Sequence, residues 1–131
     1  MPLRILVVDD HPSMRNTIRT FLERHPGWEV CGEASDGIEA IQRATDLRPD
    51  IAIMDLDMPR LNGLEATRRI HDLIPSTRVL ILTLHDISTL PKMARDSGAQ
   101  GYVLKSEAFE VLTQAIEAVG RSENFFVSPV H

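Results

Sequence analysis

The chain has 131 residues with 43% hydrophobic and 25% charged side chains, values that are ordinary for one globular domain and exclude an intrinsically disordered protein. Its formal net charge of −5 argues against nucleic-acid binding by this chain alone, because clustered Lys and Arg bind a phosphate backbone. A single cysteine excludes an intramolecular disulfide, and no run of about 20 apolar residues indicates a membrane span, so we expect a cytoplasmic location without a membrane partner.

Five short apolar runs predict buried β-strands. In chain order they cover residues 4–8, 29–34, 51–54, 78–82 and 101–104. Between them apolar residues recur at helical spacing, and Asp36 and Asn62 each precede a glutamate by three residues, the spacing of a helix capping box. The helix before the last strand is expected to be short, because Pro91 fits only in a first turn.

The alternation of strands and helices predicts a doubly wound α/β domain, with a five-stranded parallel sheet and helices on both faces. The pattern does not fix the order of the strands. In such sheets ligands bind at the carboxyl ends of the strands. Functional side chains are therefore expected at those ends.

Acids, a hydroxyl and a cation follow four of the predicted strands. They are Asp9 and Asp10 after the first, Asp55 after the third, Thr83 after the fourth and Lys105 after the fifth. Neighbouring strands lie about 4.8 Å apart, so these side chains can converge. Two carboxylates about 4 Å apart repel by roughly 4 kcal/mol at an effective dielectric of 20, so either protonation or a bound cation is expected to relieve the repulsion. Oxygen ligands without Cys or paired His suit Mg²⁺.

A phosphoryl-transfer site is the function that this chemistry favours. A carboxylate beside a metal ion and an ammonium group can accept a phosphoryl group, and Asp55 is the best-placed nucleophile because it follows the most apolar strand. Asp57, two residues on, can offer a backbone carbonyl. Taken singly, each acid is better explained as a loop-starting residue or a helix cap, Thr83 as a polar strand end and Lys105 as a solvated charge. Their conjunction favours a site.

Four short motifs occur in a specific order along the chain. They are residues 6–11 (LVVDDH), residues 54–59 (MDLDMP) leading to Asn62-Gly63, the lone Thr83, and residues 98–105 (GAQGYVLK). In this order and spacing they resemble the receiver domain of two-component response regulators, the CheY-like family, over residues 3–120. Each motif is weak separately, and the combination is specific.

The resemblance implies a phosphoacceptor and a magnesium site. Asp55 would accept a phosphoryl group from a sensor histidine kinase. Asp10 and Asp55 would ligate Mg²⁺ directly, Asp9 largely through bound water, and Asp57 through its backbone carbonyl. The chain would then be a phosphoacceptor domain with only self-directed phosphoryl transfer and dephosphorylation, not an enzyme with a separate substrate.

The resemblance also implies a switch and a strand order. Thr83 and Lys105 would contact the phosphoryl oxygens, and Tyr102 would change rotamer as Thr83 is drawn toward the phosphoryl group. Tyr102 is otherwise explained as a half-buried tyrosine at a strand edge. The strand order implied is 2-1-3-4-5, as in flavodoxin-like domains.

The Asp-Asp-His opening, the Gly-Ala-x-Gly-Tyr stretch and the lack of proline after Lys105 are similar to the LuxR/NarL-type subgroup. That subgroup implies transcription regulation through a helix-turn-helix output domain. We assign residues 1–121 to the receiver domain and residues 122–131 to a C-terminal tail or the start of a linker, with the output domain absent from this chain. The resemblance is compatible with a phosphorylation-dependent homodimer. A stand-alone receiver acting on a protein partner is the alternative.

Two further functions share parts of this pattern. Asp55-Leu56-Asp57 reproduces the aspartate pair of haloacid-dehalogenase-type phosphatases, but Pro59 stands where those enzymes carry Thr or Val, and the strand is the third instead of the first. A flavodoxin-like FMN carrier would share the fold. Asp9 and Asp10 would repel the FMN phosphate, and no Gly-, Ser- and Thr-rich phosphate loop follows the first strand.

Overall fold

The computed structural model describes residues 2–107 and 109–126, which form alternating strands and helices. The strands are β1 (Leu3–Val8), β2 (Trp28–Ala34), β3 (Ile51–Met54), β4 (Arg78–Thr83), β5 (Gly101–Leu104) and β6 (Phe125–Phe126). The helices are α1 (Pro12–Glu23), α2 (Gly37–Leu47), α3 (Gly63–Leu73), α4 (Leu90–Asp96) and α5 (Phe109–Gly120).

Within these residues one parallel sheet runs in the order β2-β1-β3-β4-β5-β6. The predicted doubly wound class is confirmed, as is the order of the first five strands. The predicted number of five strands is wrong, because β6 adds a sixth at the edge beside β5. Its residues, Phe125 and Phe126, belong to the segment predicted as a tail, and residues 127–131 lie outside the described part.

The chain reaches β6 through a tight reversal after α5. Ser122 adopts a left-handed conformation with φ of 67°, and the Glu123 N–H donates to the Ala118 carbonyl. The Phe125 N–H then donates to the Gln100 carbonyl over 2.8 Å. A strand of two residues shows too little alternation to be recognised as a strand in the sequence.

Helices cover both faces of the sheet, as predicted. Helices α1 and α5 pack on one face through Ile18, Leu22 and Ile116, and α2, α3 and α4 pack on the other through Ala44, Ile70 and small side chains. We call these the α1–α5 face and the α2–α4 face. The central strands β3, β4 and β5 are buried on both faces, which explains their continuous apolar runs.

Strand β2 contains a bulge where it pairs with β1. Ile5 lies opposite Val30 and Leu6 lies opposite Gly32, so Cys31 is an extra residue. Beyond it, Glu33 points to the α1–α5 face, where Arg15 donates to it over 2.9 Å. The bulge therefore decides which side chains of β2 face each layer of helices.

The predicted helix starts are confirmed. The Asp36 side chain accepts from the Glu39 N–H over 2.8 Å at the start of α2, and the Asn62 side chain caps α3 in the same way. Helix α4 is short, with seven residues and Pro91 in its first turn. Among the helices of residues 2–107 and 109–126, none combines the length and hydropathy needed to span a membrane.

We predict that the Asp36 carboxylate makes stability depend on pH. Burial alone would raise its pKa, but the Glu39 N–H and the Arg60 guanidinium outweigh burial and hold the pKa below its usual value. This stabilisation is present above the unfolded-state pKa and is lost as pH falls through the depressed pKa. Asp36→Ala should cost about 0.5–2 kcal/mol in urea unfolding at neutral pH, and less in acid.

Asp46→Ala is the matched control for this change, because Asp46 is exposed in the last turn of the same helix. Loss of a negative charge near a helix C-terminus is neutral or slightly stabilising. An Asp36→Ala penalty that stays constant from neutral pH to strong acid would contradict the role given to the ionised carboxylate.

Candidate functional site

Carboxylates converge at the carboxyl ends of β1 and β3. Ligand atoms of Asp9, Asp10, His11 and Asp55 all lie within 4.8 Å of one another. They meet because β1 and β3 are hydrogen-bonded neighbours in register, with Val8 opposite Met54. We call these four residues the acidic cluster.

Lys105 supplies a positive charge to the acidic cluster from the end of β5. Its Nζ lies 2.7 Å from Asp9 Oδ2 and 3.5 Å from Asp55 Oδ1, and its side chain is 5% exposed. The Lys105 N–H also donates to the Thr83 carbonyl over 2.6 Å, which fixes the backbone at this point. The lysine is therefore not the solvated surface charge that it would be if considered alone.

The Asp55 carboxylate is buried and electrostatically crowded. Burial raises its pKa above the usual value, the carboxylates of Asp9 and Asp10 add to this, and the Lys105 ammonium and the Leu56 N–H oppose it. The Leu56 N–H donates to Asp55 Oδ1 over 2.9 Å. A carboxylate held in this way favours any added positive charge in its neighbourhood.

Asp10 and His11 complete the acidic cluster on its more exposed side. Asp10 Oδ1 is buried and has no hydrogen-bond partner among the described residues, although His11 Nδ1 lies 3.0 Å from it. A buried acceptor without a hydrogen bond is costly, and a bound cation removes that cost. Apart from His11 Nδ1, the ligand atoms of the acidic cluster are carboxylate oxygens, so the residues present fit Mg²⁺.

The Asp57 carboxylate points away from the acidic cluster. Its side chain is 68% exposed, and its Oδ2 contacts His85 Nε2 across the gap between the loops that follow β3 and β4. The His85 N–H donates to Thr83 Oγ1 over 3.1 Å. His85 thus joins the loop after β3 to the hydroxyl at the end of β4.

Tyr102 extends this hydrogen-bonded chain from the middle of β5. Its hydroxyl donates to the His85 carbonyl over 2.6 Å, and the residue is 3% exposed. Burial, followed by the negative charge of Asp86, raises the pKa of Tyr102, so the phenol is a neutral donor. The buried position excludes the interpretation of Tyr102 as a half-buried residue at a strand edge.

The backbone after Asp55 is held by a close contact with the start of α3. The Gly63 N–H donates to the Leu56 carbonyl over 3.0 Å. A Cβ at Gly63 would lie 2.1 Å from the Asp55 carbonyl oxygen, so only glycine fits here. The loop between Asp55 and Gly63 also contacts the start of α2, because the Arg60 guanidinium donates two hydrogen bonds to Asp36 Oδ2.

A sequence match that covers most of the chain shows which protein family this chain belongs to. Residues 5–117 match the response regulator receiver domain family. The chain belongs to this family. The acidic cluster, Thr83 and Lys105 occupy the strand ends of a receiver domain, in the order in which the sequence motifs occur.

Two of the similar proteins are response regulators of the LuxR/NarL type. The nitrate/nitrite response regulator protein NarP of Escherichia coli K12 is 38% identical over 130 residues, which make up 99% of this chain and 60% of NarP. A solved LuxR-family two-component response regulator from Aurantimonas sp. SI85-9A1 is 42% identical, with a TM-score of 0.93 over 98% of this chain and 91% of that one. This chain thus spans three-fifths of the length of NarP.

A third relative was solved with a phosphoryl mimic. The isolated receiver domain of RcsB from Salmonella enterica serovar Typhimurium, in the presence of the phosphomimetic BeF₃⁻, is 27% identical. Its TM-score is 0.88 over 97% of this chain and 94% of that one. The arrangement of strands and helices around the acidic cluster is therefore shared with a receiver domain studied with such a mimic.

Two histidines of this receiver domain were not among the predicted site residues. His11 places its Nδ1 in the acidic cluster. His85 contacts Asp57, Thr83 and Tyr102. The position of His11 directly after Asp9-Asp10 is the one sequence feature that could have indicated its role. The contacts of His85 depend on a loop conformation that cannot be predicted from the spacing of apolar residues.

Proposed function

We propose that this receiver domain is a phosphorylation-dependent switch that accepts a phosphoryl group on Asp55 from a sensor histidine kinase in the cytoplasm. The observation that carries the proposal is the convergence of Asp9, Asp10 and Asp55 with the buried ammonium of Lys105. A nucleophilic carboxylate, ligands for a divalent cation and a fixed cation are the parts that phosphoryl transfer to a carboxylate needs.

In the proposed reaction a carboxylate oxygen of Asp55 attacks the phosphorus atom of a phosphohistidine. A P–O bond forms as the P–N bond breaks, and the departing imidazole nitrogen takes up a proton. Because the Leu56 N–H engages Oδ1, we assign the attack to Oδ2. The Lys105 ammonium lies 3.5 Å from Oδ1, where it can neutralise charge on the phosphoryl oxygens.

The proposed magnesium ligands from the protein are the carboxylates of Asp10 and Asp55 and the backbone carbonyl of Asp57. Asp9 would contact the ion through a bound water molecule. The buried Asp10 Oδ1 without a hydrogen bond supports this assignment. When bound, Mg²⁺ would neutralise the crowded carboxylates and the incoming phosphoryl oxygens.

The proposed switch runs from Thr83 to Tyr102. Thr83 Oγ1 accepts from the His85 N–H, so its own proton is free to be donated to a phosphoryl oxygen on Asp55. The Tyr102 hydroxyl is held by the carbonyl of the same His85. We propose that phosphorylation shifts Tyr102 among its rotamers toward the buried one described here, since a ligand favours the conformation that it contacts best.

The proposed output is regulation of transcription through a DNA-binding helix-turn-helix domain outside this chain. Support comes from the LuxR-family regulator of Aurantimonas and from NarP, of which this chain spans only part. The acidic charge of this chain supports DNA contacts outside it. A phosphorylation-dependent homodimer is part of the proposal, and a stand-alone receiver acting on a protein partner remains its alternative.

Intact-mass measurement after incubation with acetyl phosphate tests the proposed function. With Mg²⁺ we expect one added phosphoryl group that is stable in acid and labile in base, as an acyl phosphate is. Without Mg²⁺, or with EDTA, we expect the mass to stay unchanged. A chain that gains no phosphoryl group from acetyl phosphate or from a histidine kinase would overturn the proposal.

The phosphatase alternative is tested by the same protein with p-nitrophenyl phosphate. A phosphatase of that type needs the second aspartate as acid and base at the reacting oxygens. The Asp57 carboxylate contacts His85 outside the acidic cluster, which disfavours that role. We expect no sustained release of p-nitrophenol, and repeated turnovers would favour the phosphatase.

We predict that Asp10 and Asp57 contribute unequally to Mg²⁺ affinity. Asp10→Ala removes a proposed carboxylate ligand and should weaken binding by at least about tenfold, since even indirect partners of a bound metal are worth that much. Asp57→Ala keeps the backbone carbonyl and should have a smaller effect. Magnesium titrations followed by amide chemical shifts measure both affinities, and equal losses would refute this division of roles.

A further inference from the structure

The edge strand β6 lies against the residue that the proposed switch would move. Phe126 is in register with Tyr102, and Phe125 is in register with Gly101. Side chains of paired strand residues stand next to each other on the same face of a sheet. Phe126 accordingly packs in the same apolar cluster as Tyr102, on the α2–α4 face.

The neighbouring residue Phe125 provides a contrast within the same strand. It packs with the cluster of the α1–α5 face, above Gly101, where a Cβ would lie 2.3 Å from Leu80 Cδ1 and 3.3 Å from the Phe125 carbonyl oxygen. Glycine at position 101 thus leaves room for Leu80 and for the Phe125 carbonyl on this face. The side chains of the two phenylalanines lie on opposite faces of the sheet, and only Phe126 shares a face with Tyr102.

Helix α4 also contacts Phe126. The Arg95 guanidinium carbon lies 4.4 Å from the centre of the Phe126 ring, within the range of a cation–π contact. Phe126 therefore contacts both the strand that carries Tyr102 and the helix that follows the His85 loop. A change in either element alters the surroundings of this ring.

We infer that the pairing of β6 with β5 depends on the state of the proposed switch. Phe126 couples β6 to Tyr102 and to Arg95. This inference rests on the proposed function, because occupation of Asp55 is the event that is reported. The occupant of the β5 edge is thus a segment of this same chain, and the strength of its pairing depends on the phosphoryl site.

The direction of the coupling follows from the hydrogen bonds. A Thr83 hydroxyl that donates to a phosphoryl group becomes a stronger acceptor for the His85 N–H. A more firmly held His85 keeps its carbonyl in place for the Tyr102 hydroxyl, and Phe126 packs against the buried Tyr102. Occupation of Asp55 is therefore expected to strengthen the pairing of β6 with β5.

Amide hydrogen exchange of Phe125 in the full chain tests the inference, with Mg²⁺ and beryllofluoride as the phosphoryl mimic. The Phe125 N–H donates to the Gln100 carbonyl, so its exchange reports β6 pairing. On binding we expect this exchange to slow by at least about fivefold, the lower range of coupling between two sites. Unchanged or faster exchange would overturn the inference.

Matched variants separate the two phenylalanines. Coupling is reciprocal, so Phe126→Leu should raise the beryllofluoride concentration needed for half-saturation by roughly 1.5- to fivefold, the worth of one cross-strand aromatic pair. Phe125→Leu keeps the contact with Tyr102 and should leave that concentration unchanged. Equal shifts in both variants would overturn the role given to Phe126.

Fluorine NMR distinguishes failure of the inference from failure of the proposed function. A resonance of bound beryllofluoride with no change at Phe125 would overturn the inference and leave the phosphoacceptor role of Asp55 intact. Absence of any bound resonance in the presence of Mg²⁺ would overturn the proposed function, and the inference with it.

Discussion

Replacing Asp55 with Asn is expected to abolish phosphorylation by acetyl phosphate and Mg²⁺, leaving the intact mass unchanged. The amide keeps the size of the side chain but removes the negative charge and the nucleophilic oxygen that the reaction requires. In the proposed reaction Asp55 is the only nucleophile, beside the Lys105 ammonium. The loss should therefore be complete, not a reduction in rate.

Asp57→Asn is the matched control, with the same change two residues along the chain. Its carboxylate is exposed and contacts His85, so the variant should still gain one phosphoryl group. If Asp55→Asn still gained a phosphoryl group, or if peptide mapping placed the group on Ser13 or Thr83, the assignment of Asp55 would be incorrect.

Gly63→Ala is expected to destabilise the folded protein by about 1–3 kcal/mol or more, the usual cost of forcing extra atoms into a packed region. The new Cβ would lie 2.1 Å from the Asp55 carbonyl oxygen and 2.8 Å from Leu56 Cα. Both are backbone atoms, so relief requires movement of the loop that follows Asp55, the proposed phosphoacceptor. The rate of phosphorylation should fall together with stability.

Gly120→Ala provides the control for Gly63→Ala, because it adds the same methyl group in the last turn of α5. The nearest atom to its Cβ would be Leu3 Cδ2 at 3.6 Å, an ordinary contact. Alanine is favoured over glycine in a helix by roughly 0.5–1 kcal/mol, so this variant should be neutral or more stable. Urea unfolding of both variants measures the difference, and equal stabilities would contradict the proposed clash.

The residues of the acidic cluster and Lys105 could be predicted because the ends of buried strands can be recognised in the sequence. An apolar run that stops at Asp9, at Asp55 or at Lys105 marks both a buried strand and its carboxyl end. Parallel pairing brings those ends together whatever lies between them. The acidic cluster and its lysine therefore followed from pattern and elementary electrostatics, while the strand order needed the family resemblance.

Features set by loop conformation and by single residues could not be predicted in this way. The contacts of His85 depend on how the loop after β4 folds back over Asp57. The two residues of β6, Phe125 and Phe126, are too few to show the alternation that marks a strand. Such features depend on tertiary contacts, which local propensity does not encode.

The bulge at Cys31 decides which face of the sheet carries Glu33, and through Arg15 it affects the backbone at Asp9 in the acidic cluster. Glu33 reaches the α1–α5 face only because one extra residue precedes it, and there it orients Arg15, whose Nη1 donates to the Asp9 carbonyl over 2.8 Å. Pairing without the bulge, with Cys31 opposite Leu6, would turn Glu33 toward the opposite layer and release Arg15, because a one-residue slip exchanges the faces of a strand. Deleting residue 31 would instead remove the bulge and leave Glu33 opposite Val7, on its present face. The extra residue therefore lets Val30 and Glu33, three positions apart, face the same layer of helices.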